Sequence, residues 1–228
     1  MRFILVRHGQ TEWNLEHRVQ GRTDLPLNAQ GIRQAELVAG ALRNIPADII
    51  YCSSLTRAKE TAEVLLGEMN RIRLSAGKPV LPEIIPLPEL KEVAFGNWEG
   101  KTLEEIQVLY PEDYHRWVQN PAWEIPTGGE SRESLRQRTE RAFEIIRENT
   151  GLSGDSSVVI VAHGAILVYI IAWLLRSDAE RREIIVENAS ITTVDYDFNT
   201  GIGTLIRMNE TDHLKGGNKT PWKADLRK

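Results

Sequence analysis

The sequence predicts an α/β protein with three layers, in which helices cover both faces of a mostly parallel central sheet. Two observations carry this. Residues 3–6, 47–52 and 157–162 are short apolar runs of the kind that form strands buried on both faces. Each run passes through a few polar residues into apolar positions at helical spacing, the alternation of a βαβ chain. Polar groups then collect at the carboxyl ends of parallel strands, where open α/β sheets bind their ligands.

In chain order, 3–6 is the first strand. Residues 12–28 carry turn chemistry (Gly21, Asp24, Pro26) without an apolar period and read as a long loop, a feature that in compact domains is usually functional. Asn28 caps a helix over 29–42, with Ile32, Ala35, Val38, Ala39 and Leu42 at helical spacing. The strand at 47–52 leads through Ser53, Ser54 and Arg57 into a helix marked by Ala58, Thr61, Ala62 and Leu65. Pro79, Pro82 and Pro86 confine any strand over 77–88 to an edge. Residues 97–130, broken at Pro111 and rich in aromatics, read as a helical insertion over the site. A long helix over 132–149 turns Leu135, Ala142, Phe143 and Ile146 inward and its arginines, Arg138 among them, to solvent. The strand at 157–162 ends in His163-Gly164-Ala165 before an apolar helix over 166–175. Residues 191–197 and 203–208 alternate about a turn and form a hairpin, and the tail over 215–228 is Lys- and Gly-rich and mobile. A single domain over 1–228 is expected.

The chemistry sits at the strand ends. Arg7 and Arg57 offer forks of donors suited to phosphate, and His8 and His163 are side chains that are neutral and nucleophilic near neutral pH. One histidine after a strand is more often a hydrogen-bonded structural residue. Two histidines and two arginines at one sheet edge make an oxyanion pocket. A metal fits poorly, because no carboxylate stands beside the histidines and arginines repel cations. Glycines after both histidines permit close approach of backbone to a ligand.

The 228 residues bury enough surface to need no disulfide. Cys52 is the one cysteine and reads as a small buried hydrophobe. A net charge of −4 disfavours nucleic acid as a partner without excluding an anionic substrate. With no secretory signal pattern and no stretch near ~18 apolar residues, a cytoplasmic protein without a membrane partner is expected.

The motifs Leu5-Val6-Arg7-His8-Gly9-Gln10-Thr11-Glu12-Trp13-Asn14, Gln20-Gly21, Ser53-Ser54-Leu55-Thr56-Arg57-Ala58, Leu90 to Gly100, Gly128-Gly129-Glu130-Ser131 and His163-Gly164 come in one order. That order resembles the histidine phosphatase superfamily, in its phosphoglycerate-mutase-like branch. The resemblance implies His8 as the nucleophile that forms phosphohistidine, with Arg7, Arg57 and His163 on the non-bridging oxygens. It implies Glu92 as the proton donor, by motif position, over Glu12, Glu89 and Glu99. Asn14, Gln20, Gly21 and Thr11, with backbone at Gly9, Gly164 and Ala165, match substrate-binding positions. Ala165 departs from the family, which often has glycine there.

No cofactor and no metal are implied, and the partner is a small phosphate ester. The insertion has no Arg-Arg pair, and Asn209 to Leu214 resembles a common phosphatase ending. Hydrolysis is therefore expected, with a 2,3-bisphosphoglycerate-dependent mutase as the alternative and a non-catalytic phosphate-binding module as a remote one. Specificity is assigned to the insertion and the 126–131 loop, through Trp123, Glu130 and Arg116. Monomer and homodimer stay open, the edge near Val80 being the dimer candidate.

Overall fold

A computed structural model describes residues 1–45, 47–81, 83–119, 126–150, 156–176 and 184–215. Six strands form one sheet: β1 (Arg2–Arg7), β2 (Ile49–Ser53), β3 (Ile84–Leu87), β4 (Ser157–Ala162), β5 (Ile191–Asp197) and β6 (Ile202–Glu210). Their order is β3-β2-β4-β1-β5-β6, and only β5 runs against the others. The seven α-helices among the described residues are α1 (Glu12–Leu15), α2 (Ala29–Leu42), α3 (Thr56–Ser75), α4 (Leu103–Leu109), α5 (Pro111–Gln119), α6 (Arg132–Thr150) and α7 (Gly164–Leu175).

The period of a strand divides the core in two. Phe3, Leu5, Tyr51, Val158 and Ile160 point to one face and pack with Phe143 and Ile146 of α6 and Ile166, Ile170 and Leu174 of α7. Ile4, Val6, Ile50, Val159 and Val161 point to the other, against Val38 and Leu42 of α2 and Ala58, Ala62 and Leu65 of α3. Each such fully buried Leu or Ile contributes about 1.5–3 kcal/mol by leaving water. Cys52 lies in this second face, where burial pushes its thiol up to about 12, so it is an inert apolar filler.

The expected strands and helices are present, with instructive differences. Within 12–28 the chain makes the short helix α1, capped by Thr11, whose hydroxyl accepts from the Asn14 amide. No apolar period announced it because it buries no residue. Ile32 is 44% exposed, and Gly31 takes the core position instead. The first turn of α2 rests directly on the backbone of residues 9 and 10, where a Cβ on Gly9 or Gly31 would collide with main-chain atoms. The edge strand is β3, with Pro86 inside it, while Val80 lies outside any strand. Helices α4 and α5 break at Tyr110-Pro111 as expected. The proposed tail lies outside the described residues apart from Lys215, as does Trp123. No described helix is long and apolar enough to cross a membrane.

Candidate active site

Because β1, β2 and β4 are parallel, Arg7 and His8, Arg57 at the start of α3, and His163 with α7 arrive at one edge of the sheet. A cavity of about 450 Å³ opens there. Its polar floor includes Arg7, His8, Asn14, Gln20, Arg57 and Glu92, and its upper wall includes Phe95, Trp98, Leu103, Trp117, Leu135 and Val168.

His8 is buried, and its Nδ1 lies 2.7 Å from the carbonyl oxygen of Gly9. A carbonyl only accepts, so Nδ1 carries the proton and Nε2 keeps its lone pair. Burial, then the charges of Arg57 and Arg7, hold the pKa well below 6.5. The ring is therefore neutral at neutral pH, with a lone pair that can act as a nucleophile. Its backbone is braced from far along the chain. The Gly9 N–H donates to Thr61 Oγ1 (3.0 Å), and Asn188 Nδ2 donates to the His8 carbonyl (3.1 Å). Ala189, at φ 56°, donates its N–H to the carbonyls of Arg7 and His8. A left-handed alanine costs roughly 1–2 kcal/mol, and these bonds hold it there. Nothing in the local pattern of Asn188-Ala189 marked the pair; only the sheet order brings them beside β1.

Arg57 is fully buried. Its guanidinium donates to Thr23 O (2.8 Å), Gly21 O (2.8 Å) and His163 Nδ1 (3.1 Å), which leaves two of five donors for the cavity. Arg7 donates to Val186 O (2.7 Å), while its buried Nε has no partner. Burial lowers the pKa of both. Guanidinium groups partly or wholly withdrawn from water, with donors unspent, are relieved by an anion.

His163 differs from the expectation. It accepts from Arg57 at Nδ1, so its Nε2 bears the proton that Ser53 Oγ accepts at 2.7 Å. Burial, then Arg57 and His8, keep it neutral. Both nitrogens are committed and His163 is not among the residues lining the cavity, so contact with a phosphate oxygen requires exchange of one of these bonds.

Glu92 faces the arginines from across the cavity. Its carboxylate accepts from the N–H groups of Val93 (2.9 Å), Ile166 (2.9 Å) and Ala165 (3.1 Å), the last two in the first turn of α7. That turn is positively polarised and suits a carboxylate. The rival carboxylates are placed elsewhere. Glu99 holds the Arg22 and Thr23 amides, Glu89 meets Arg141, Glu12 opens α1, and none lines the cavity.

Other expectations divide. Asn14 lines the cavity, and its Oδ1 takes bonds from Thr11 and Asn188, so Nδ2 is the group left to donate. Gln20 lines it with a buried, unpartnered Oε1. Gly21 and Gly164 lie on its wall. Thr11 is a correction: fully buried, it orients Asn14 and does not reach the cavity. So are the backbone donors of Gly9 and Ala165, spent on Thr61 and Glu92, although Ala165 itself lines the cavity. Arg116 pairs with Asp113, away from the cavity, and Trp117 is the aromatic residue of α5 that lines it. Arg138 is not on a wet face but in a buried ion pair with Glu130. Despite the cost of burial, the Arg138 guanidinium and Arg22 hold Glu130 below the usual carboxylate range. Asn209 and His213 pin the loop that carries Val186 and Asn188, through Glu187 and Ala189 O.

A neutral histidine with an open nitrogen, facing one buried and one partly buried arginine with a carboxylate opposite, is suited to phosphoryl transfer. The chain belongs to the histidine phosphatase superfamily (branch 1), which it matches over residues 3–211, and it is a phosphoric monoester hydrolase. It is 31% identical over 215 residues to phosphoserine phosphatase 1 of Hydrogenobacter thermophilus, covering 94% of each chain. It is 32% identical over 180 residues to adenosylcobalamin/alpha-ribazole phosphatase of Escherichia coli, covering 79% of this chain and 82% of that one. The solved phosphoserine phosphatase of Entamoeba histolytica, in complex with 3-phosphoglyceric acid, superposes with a TM-score of 0.75 at 31% identity, covering 93% and 98%.

Proposed function

We propose that the chain is a metal-independent phosphomonoesterase that hydrolyses a small phosphorylated metabolite through a phosphohistidine on His8. The observation that carries this is the open Nε2 of a buried, neutral His8 beside arginines with unspent donors. Nε2 attacks phosphorus and the bond to the ester oxygen breaks. Arg7, Arg57, Asn14 and Gln20 bind the non-bridging oxygens as charge redistributes. Glu92 acts as the general acid and gives a proton to the leaving oxygen. As a carboxylate it then takes a proton from the water that attacks the phosphohistidine, releasing phosphate and restoring the acid. His163 acts by holding Arg57.

Hydrolysis is favoured over a mutase by an upper wall that is mostly apolar, with Arg18 and Arg132 as its cations. Arg18, a cation at the rim, already bonds Glu16, Glu105 and the Gly100 carbonyl, and is poorly placed to hold a substrate carboxylate.

The test is phosphate release from an aryl phosphate in the presence of chelator, with wild type and His8→Ala in parallel. Interconversion of 2- and 3-phosphoglycerate with 2,3-bisphosphoglycerate is assayed on the same preparations. Chelator-resistant release that disappears in the variant is expected. Rapid isomerisation with poor release would make the protein a mutase. Phosphoserine and α-ribazole phosphate, the compounds in the relatives' names, head the substrate panel.

A further inference from the structure

Glu130 and Arg138 lie outside the cavity, yet their side chains are only 3% and 12% exposed. Arg138 spends all five donors. Nε and Nη2 grip the two oxygens of Glu130 at 2.7 and 2.8 Å. Nη1 donates to the carbonyls of Glu89 (2.6 Å) and Lys91 (2.7 Å), and Nη2 also to that of Glu92 (3.3 Å). Arg22 makes a second link, donating to Glu130 Oε1 (3.0 Å) and to the Glu92 carbonyl (3.3 Å). An ion pair that merely fastened α6 to the sheet would have no need of three carbonyls from the one turn that ends in Glu92.

We infer that Arg138 and Glu130 are positioning residues that set the backbone of the proton donor. Glu92 is held at both ends, its peptide by α6 and its carboxylate by the first turn of α7. Arg22 extends the clamp to the segment whose carbonyls, Gly21 and Thr23, hold Arg57. Acid and phosphate-binding groups thus share one frame. A planar fork with five donors does this, and a lysine, with three donors at one point, cannot span both the carboxylate and the carbonyls.

The inference rests on Glu92 as proton donor, so leaving-group dependence is the readout. kcat/KM reports only the steps through phosphoryl transfer to His8. It is measured for p-nitrophenyl phosphate, whose leaving group needs little protonation, and for phenyl phosphate, which needs more. Glu92→Gln, Arg138→Lys and the neutral pair Arg138→Met with Glu130→Gln are compared; the last leaves no buried charge unpaired. Each clamp variant is expected to lose about 10–100-fold on phenyl phosphate, as a misplaced acid does, and only about 3-fold on p-nitrophenyl phosphate. Orthovanadate affinity should stay within about 3-fold of wild type, and adding Glu92→Gln to a clamp variant should cost little more than Glu92→Gln alone. Equal losses on both esters, weakened vanadate binding, or losses that multiply with Glu92→Gln overturn the clamp. If Glu92→Gln itself shows no leaving-group dependence, the proton-donor reading falls and the clamp with it.

Discussion

The two strand-histidine-glycine units, at residues 7–9 and 162–164, look alike in sequence and end differently in space. Their rings lie 5.1 Å apart, and both are buried and held neutral. His8 spends one nitrogen on its neighbour's carbonyl and keeps the other open at the cavity. His163 spends both, on Arg57 and Ser53. The difference lies in what the neighbouring strand brings. β4 stands between β1 and β2, so His163 meets the end of β2 and the start of α3, whereas β1 faces the cavity. A shared motif thus leaves one histidine with a nitrogen open at the cavity, the nucleophile of the proposed mechanism, and makes the other a support for a cation.

The strongest way to break this comparison is to truncate each ring. His8→Ala is expected to lower turnover by on the order of 10⁴-fold or more and to abolish acid-labile phosphoenzyme in a rapid-quench assay. His163→Ala should lose roughly 10²-fold, the scale of a weakened electrostatic contact, and should still form phosphoenzyme. Equal losses, with no phosphoenzyme in either, would mean that His163 touches the reacting group.

Ser53→Ala sharpens the same point. It leaves the His163 Nε2–H buried without an acceptor, which costs about 1–3 kcal/mol in urea unfolding. Activity should fall less than in His163→Ala, because Arg57 keeps its bond to His163 Nδ1 as well as those to Gly21 and Thr23. A Ser53→Ala enzyme as slow as His163→Ala would show that the tautomer, not the support, matters.

The smallest effect is on stability against pH. Both histidines have folded pKa values well below the 6.5 of the unfolded chain, and burial lowers His213 too. Below pH 6.5 the unfolded state binds the extra protons, so stability is retained above 6.5 and lost as pH falls through it. The slope is at most about 1.4 kcal/mol per pH unit for each histidine. His8→Asn and His163→Asn should each flatten the unfolding free energy between pH 6.5 and 5 by about one histidine's share. A slope unchanged in either variant would contradict its buried neutral state.

Much of the site was legible because strand ends are punctuated. Apolar runs stop abruptly at Arg7-His8, at Ser53 and at His163, and a parallel sheet aligns such ends. Glu92 stood out by its place in a motif alone; the geometry adds that its rivals are occupied elsewhere. Arg138 was misread because its neighbours Arg136 and Arg141 do lie on the outer face of α6. A helix pattern reports which face a residue occupies but not whether a carboxylate and three carbonyls wait beside it. Nothing local announced that Thr61, Asn188 and Ala189 brace the backbone around His8, since their partners lie 52 to 182 positions away in the chain.

By itself the sequence determined the alternation of elements, the two-faced core and the residue types that meet at the sheet edge. These follow from period and composition, which act over a few residues. Tertiary structure alone decided which histidine nitrogen stays open, which arginine donors are spent and which carboxylate faces the cavity. Hydrogen bonds are directional and short, and the partners that settle them are brought together only when distant strands pair.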